Sequence, residues 1–225
     1  RENKPYELIL ECRDEAVKMT IGRHNFYYEE SKDSDVIEEI IGRYKGLQKD
    51  VEPTKLKHQE LVQFHSTDWD FMLSRAEVNG KMVIPNDGKI SVKSPETNTD
   101  SALSVLFGST ILEFDAEIDA RTQWKSVEAK SWDYAGQTLF ESTTDSVPIK
   151  EPGNIKGEEL SKTIGLKKLE LRHSGQIIAE ELQEWTKSVM QRSRLSKIRG
   201  SAKFIGFGKI QPGQLIDLQG IGSRF

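Results

Sequence analysis

The sequence predicts an α+β chain that is mainly β, and three observations carry that prediction. Short alternating or aromatic segments open the chain and recur in its second half, as half-buried strands require. Segments with helical spacing interrupt them, at the centre and again near the end. Asn86-Asp87-Gly88 between two short apolar runs is a strong hairpin signal. Composition agrees: 36% hydrophobic and 30% charged residues in 225 describe a globular chain with a polar surface and enough length for a core.

Residues 8–13, 17–22 and 26–29 read as strands separated by charged or glycine punctuation. Cys12, the only cysteine, falls in the first of them and is expected as a buried strand residue; one cysteine excludes an internal disulfide framework. Then the period changes. Asp33-Ser34 offers a cap, and Val36, Ile37, Ile40, Ile41 and Tyr44 follow at helical spacing until Gly46. Residues 51–53 form an extended connector, because Pro53 pushes Glu52 away from helix.

Residues 67–80 hold the most complete local signal. Thr67 serves as N-cap, with Asp70 three residues on and Asp68 beside it at the positive end of the helix dipole. Trp69, Met72, Leu73 and Ala76 form one apolar stripe, and Asn79-Gly80 supplies the stop. A fully buried Trp69 would make Trp69→Ala cost ~3–5 kcal/mol. Residues 81–84 and 89–92 are the arms of the hairpin, and the polar, aperiodic stretch 94–101 reads as a linker or domain boundary.

Residues 111–120 alternate strictly. Leu112, Phe114, Ala116, Ile118 and Ala120 take one face and acids the other, which predicts a half-buried strand facing solvent or a partner. Residues 124–132 predict another strand with Val127, Ala129 and Ser131 inward. Residues 142–157 read as a mobile acidic loop. The longest helix is expected over 176–199, with Ile178, Leu182, Trp185 and Val189 buried, acids early, basic residues late and Gly200 as its stop. The tail, 205–218, reads as strand, Pro-Gly turn, strand.

Chemistry is sparse. The net charge of −4 lacks the basic excess of a nucleic-acid protein, and no apolar run is long enough to span a bilayer. Asp68 and Asp70 do not share a helix face, so they make a poor acid/base pair. Asp115, Glu117 and Asp119 share a strand face, which suits a solvated edge or a basic partner better than a divalent cation. The histidines His24, His58, His65 and His173 lack ligand spacing on a helix, and no Gly-x-Ser-x-Gly elbow or P-loop is present. Gly206-Phe207-Gly208 reads as a strand bulge or bend. Arg192, Arg194, Lys197, Arg199 and Lys203 form the one basic cluster, a helix-end charge set or an anion-binding patch. Trp124, Trp132 and Tyr134 are expected to pack as strand aromatics, or else to serve a binding face.

Several stretches together resemble the Rhs element Vgr (VgrG-like) family, which is similar to the phage baseplate hub of the late control gene D type. They are Ala16-Val17-Lys18-Met19-Thr20-Ile21-Gly22-Arg23, His58-Gln59-Glu60-Leu61-Val62-Gln63-Phe64, the helix from Thr67 to Gly80, Leu112-Glu113-Phe114-Asp115-Ala116-Glu117-Ile118-Asp119-Ala120-Arg121-Thr122-Gln123, and the tail from Ile210 to Phe225. They run in order over most of the chain. The resemblance implies antiparallel β-barrel-like domains around a small α/β part: residues 1–30 as the end of a first barrel whose front lies outside this chain, 31–97 as the α/β domain, and 98–225 as a second barrel containing the long helix. It implies a non-enzymatic spike or hub of a contractile injection system, of the type VI secretion or phage-tail-like kind. The hub would be a trimeric ring without cofactors, partnered by tail tube, baseplate and effector proteins, made in the cytoplasm and delivered in a particle. Within that frame Asp115, Glu117 and Asp119 are expected to meet Arg192, Arg194 and Lys197 of a neighbouring subunit. A cell-wall hydrolase or effector domain, or a monomeric β-type binding module, are the alternatives.

Overall fold

The structure, a computed structural model, describes residues 8–206, 208 and 210–222. Phe207 of the Gly206-Phe207-Gly208 segment and the last three residues of the tail motif, 223–225, lie outside the described residues. The chain is mainly β, as predicted; the described residues form four α-helices, one of them beyond the three expected, and their strands pair as five sheets of two or three strands.

The opening departs from expectation. Residues 8–13 form no strand, and Cys12 is exposed. Residues 15–20 form a 3₁₀ turn, Glu15–Thr20, because the Asp14 carboxylate accepts from the Ala16 N–H at 2.8 Å and caps it. A local side-chain acceptor competes with strand pairing, and here it wins. Strand β1 (His24–Lys32) follows, then α1 (Asp33–Gly42), which buries Val36, Ile37, Ile40 and Ile41 as its spacing requires. Asp33 and Ser34 lie inside this helix, whose N-cap is Lys32.

Strand β2 (Gln48–Val51) runs parallel to β5, and β3 (Lys57–Ser66) pairs antiparallel with β1. Helix α2 (Asp68–Val78) begins where the sequence places it, the Thr67 hydroxyl accepting from the Asp70 N–H at 3.0 Å. Its stripe is different from the predicted one. Met72 and Ala76 are buried, Trp69 is half-buried and Leu73 is exposed, while Asp68 is buried. The indole therefore does not carry the full burial that a loss of ~3–5 kcal/mol on truncation needs. Strands β4 (Met82–Asn86) and β5 (Lys89–Lys93) make the hairpin, with Asp87 at φ 49° and Gly88 at φ 75°, the left-handed pair such a turn demands. Together with Met19 and Tyr28, residues of α1, α2 and β5 close one apolar core.

The second half is built from β6 (Leu103–Leu106), β7 (Ile111–Ile118), β8 (Ser126–Asp133), β9 (Thr138–Thr144), α3 (Gly157–Ile164), β10 (Lys168–His173), α4 (Ala179–Leu195), β11 (Ile198–Phe204) and β12 (Ile216–Gln219). β8 lies between β9, antiparallel, and β10, parallel, and buries Val127, Ala129 and Ser131 as predicted. Helix α4 packs on β8 and β9. Its buried face is Leu182, Thr186, Met190 and Ser193, rotated from the expected one; Trp185 and Val189 are half-buried and Ile178 is exposed. It ends at Ser196, not at Gly200, which sits in β11 where a side chain would collide with the Asp115 carbonyl. β7 pairs antiparallel with β11, which ends before the predicted tail, and β6 pairs parallel with β12; the described residues between 205 and 215 form no strand, so the expected first tail strand is absent there and only β12 is found.

Candidate functional site

The residues predicted to meet across a subunit interface have three different surroundings. Asp115 and Glu117 stand exposed on β7. Their ribbon already carries complementary charge from β11: Arg199 is opposite Glu117, and Lys203 Nζ donates to Glu113 at 2.9 Å. Asp119, just past β7, accepts from the Arg121 guanidinium at 2.9 Å through both oxygens, and this partner holds its carboxyl down at about 2. Arg192 is exposed and paired with Glu77 of α2. Leu112, expected inward on the same strand, is exposed.

Arg194 and Lys197 correct the sequence reading, because both are buried. Arg194 donates to Gln123 Oε1 at 3.3 Å and to the Trp124 carbonyl at 2.8 Å, and burial pulls its guanidinium below the ordinary arginine range. Lys197 is only 1% exposed; its ammonium donates to Glu151 Oε2 at 3.0 Å and to the Pro152 and Ile155 carbonyls at 2.8 and 2.6 Å. Helix spacing near a basic C-terminus signals solvent-facing cations, but the chain returning as loop 145–156 covers these two. That loop, expected to be mobile, is fastened by Lys197. Glu151 also accepts from the Gly157 N–H at 2.7 Å, at the start of α3, and these bonds outweigh burial to lower its carboxyl.

Two further charge clusters brace the first half. Asp33 Oδ2 lies 3.0 Å from His58 Nε2, and Arg75 donates to Asp33 Oδ1 at 2.5 Å and Oδ2 at 3.1 Å. Asn79 donates to the same carboxylate at 2.8 Å, and Arg75 reaches across to Glu181 of α4 at 2.8 Å. Burial pushes the Asp33 carboxyl up, yet its bonds with His58 and Arg75 overcome this and hold it at about 2. The second cluster centres on Asp68, which accepts from Gln63 at 2.8 Å, Tyr44 at 2.9 Å and Arg43 at 3.3 Å. Burial and the Asp68 partner push the Tyr44 phenol up to about 12. The Arg43 guanidinium lies 3.6 Å from the centre of the Phe26 ring. Asp68 is thus a buried hydrogen-bond centre as well as a helix-start charge.

The geometry fits a rigid joint. Arg75 and Glu77 of α2 hold Glu181 and Arg192 of α4, Ser188 Oγ donates to the Glu77 carbonyl, and Gln191 donates to the Gly80 carbonyl at 2.9 Å. The sequence reading missed Arg75, Glu181 and His58 because their separations of 17 to 106 residues leave no local pattern. His65 is exposed, and its backbone N–H donates to Asn25 Oδ1 at 2.8 Å. Trp132 and Tyr134, expected to pack, are 42% and 65% exposed. Among the described residues no group of three or more His, Cys, Asp or Glu side chains is arranged to hold a metal, and no helix is long and apolar enough to cross a membrane.

The model of the family described as the Alg8 N-terminal domain matches residues 1–225. No curated protein matches the chain by sequence. Among solved structures, the 43 kDa tail protein of prophage MuSo2 from Shewanella oneidensis is similar at 14% identity and TM-score 0.64, over 91% of this chain and 60% of that one. A tail protein from Neisseria meningitidis MC58 is similar at 12% identity and TM-score 0.65, over 92% of this chain and 62% of that one. Prophage tail protein gp18 from Listeria monocytogenes EGD-e is similar at 12% identity and TM-score 0.51, over 90% and 60%. The fold is therefore that of phage tail proteins, and the chain spans about 60% of the length of those it matches.

Proposed function

The chain belongs to the Alg8 N-terminal domain family; from its tail-protein fold we propose that it is a structural, non-enzymatic component of a phage-tail-like particle. In the finer reading it is the VgrG-like hub or spike of a contractile injection system, three copies closing a ring that meets tail tube, baseplate and effector proteins. The particle would be assembled in the cytoplasm and then secreted or delivered. The tail-protein fold is the observation that carries this reading. Two features support it. Helices α2 and α4 are cross-braced by ion pairs and part-buried hydrogen bonds, which suits a part that transmits force. The β7–β11 and β6–β12 ribbons are two-stranded, and such ribbons gain stability from further strands or a packed face. Neighbouring copies would complete them into barrel-like walls, with 1–30, 31–97 and 98–225 as the domain divisions.

The exposed acids Asp115 and Glu117, with Asp119 and Arg192 at the margin, are proposed as the charged rim of that contact; Arg194 and Lys197, being buried, serve inside the subunit. Sedimentation of the full chain tests both levels. A trimer that weakens on Asp115→Lys with Glu117→Lys, with steeper salt dependence, is the expected result. A monomer at every concentration sinks the ring, and a trimer indifferent to the reversals sinks this rim. A second reading, a monomeric binding module, is favoured by the exposed Trp132 and Tyr134 and would show as a monomer with glycan or protein affinity.

A further inference from the structure

An open cleft of about 870 Å³ lies between the start of β8, loop 145–151, α3 and the start of β10. Arg194 forms part of its floor, and Lys125, Lys162, Lys167 and Lys168 stand around it. The carboxylates Asp145, Glu151 and Glu158 also line it. The charge is nevertheless out of balance at two depths. At the floor, the buried cations Arg194 and Lys197 share one carboxylate: Glu151 lies 3.0 Å from Lys197 Nζ and 3.9 Å from Arg194 Nε. At the rim, Lys162 pairs with Glu158 at 2.8 Å and Lys168 pairs with Glu128, but Lys125 and Lys167 are exposed and form no ion pair among the described residues.

Glu158 acts on both Arg194 and Lys125, yet the cations lining the cleft outnumber its carboxylates, so an attraction for a further anion remains and the exposed Lys125 and Lys167 extend it outward. The Arg194 Nη atoms each donate one bond, to Gln123 and to the Trp124 carbonyl, so each keeps an N–H in hand. We propose that this cleft binds an acidic polypeptide segment, its carboxylates spaced along the Lys125–Lys167 rim and toward Arg194. The occupied backbone N–H groups of the cleft decide against a compact phosphate. Phosphate sites converge backbone N–H groups on one point. Here the Gly157 N–H is occupied by Glu151 at 2.7 Å, and the Lys125 and Ser126 N–H groups are occupied by the Leu166 and Lys167 carbonyls at 3.2 Å. The cleft is also of the size that encloses several side chains, and Val147 and Leu166 in its wall offer apolar contact between charges. Binding at this cleft does not require ring formation.

The probe is a fluorescein-labelled hexaglutamate peptide, read by anisotropy with the full chain at low ionic strength. Lys125→Glu with Lys167→Glu is expected to weaken binding by about tenfold or more, and added salt to weaken it further. Lys45→Glu with Lys55→Glu, exposed positions elsewhere on the chain, changes the net charge equally and is expected to leave affinity within about twofold. Circular dichroism verifies the fold of each variant, and the milder Lys125→Ala with Lys167→Ala gives a smaller loss should the reversal perturb it. Absence of peptide binding, equal losses in the two reversal pairs, or displacement by inorganic phosphate as effective as by unlabelled peptide would each overturn the proposal.

Discussion

The interior between residues 15 and 93 and the interior beyond residue 120 are built on different principles. The first is centred on one apolar cluster that includes Met19, Ile37, Ile40, Ile41, Met72, Ile90 and Val92, with the buried Asp33 and Asp68 clusters beside it. In the second, Val127, Ala129, Leu182 and Met190 share the interior with many hydrogen-bonding side chains: Gln123, Thr144, Thr186, Ser188, Ser193, Arg194 and Lys197 are all buried. Thr144 Oγ1 lies 2.9 Å from Thr186 Oγ1, Ser193 Oγ donates to the Thr122 carbonyl at 2.6 Å, and Lys197 holds loop 145–156 from inside. Apolar packing tolerates exchange of shape for shape, whereas a buried polar bond fails outright when one partner leaves. The first region should lose stability in proportion to volume removed, and the second in proportion to partners orphaned.

The largest expected effect follows from the second principle. Lys197→Met preserves bulk but leaves Glu151 and two carbonyls without their donor, and should cost ~3–5 kcal/mol in urea melts. Arg192→Met, five residues earlier near the end of α4 but 49% exposed at its side chain, should cost under ~1 kcal/mol. Near-equal losses for the two would break the comparison. The first principle predicts that Ile40→Ala, fully buried in α1, costs ~2–5 kcal/mol, while Leu73→Ala on the exposed side of α2 costs under ~1 kcal/mol. A small Ile40 loss would mean that the apolar cluster is not what holds this region.

These differences also explain what was legible in the sequence. Elements specified by neighbours in the chain could be read: the Thr67 cap, the Asp87-Gly88 turn, the isoleucine face of α1 and the inward Val127, Ala129 and Ser131. Elements specified by distant polar partners could not. β3 buries His58 and Gln63, whose partners are Asp33 and Asp68, so it lacks the apolar alternation of a strand. Arg194 and Lys197 read as solvated cations because their covering loop lies more than 40 residues earlier. The Cys12 segment alternates like a strand, but Asp14 ends that option by capping the turn after it. The strand with its acidic face is legible, whereas the intrachain answer to that face on β11 is not, since Gly200 reads as a helix stop.

Asp33 sits where the two principles meet, inside α1 and bonded to α2, and gives the next effect. Its folded carboxyl is held at about 2 against an ordinary value of 3.8. A carboxyl with a depressed folded value contributes stability above its unfolded value and loses it as the pH falls through the folded one. The contribution is about 2 kcal/mol at neutral pH, declining from near pH 5 and gone below about pH 2. Denaturant melts of the parent and Asp33→Asn should therefore differ in their slope across that window, the variant being flatter. Identical slopes would show that the Arg75 and His58 bonds do not favour the ionised form.

The smallest effect is the most informative about assembly. Lys203 and Glu113 face each other across β7–β11 with side chains 64% and 72% exposed, so a double-mutant cycle to Met and Gln should give a coupling of ~0.2–1 kcal/mol in the isolated subunit, fading with salt. Burial against another copy lowers the effective dielectric around the pair and strengthens its coupling. The same cycle measured where the subunits assemble should thus exceed the value measured in dilute solution. A coupling above about 2 kcal/mol in the dilute monomer would mean that this ribbon is an interior after all. Equal values in both states would place the pair outside any contact between copies, and with it the acidic face of β7.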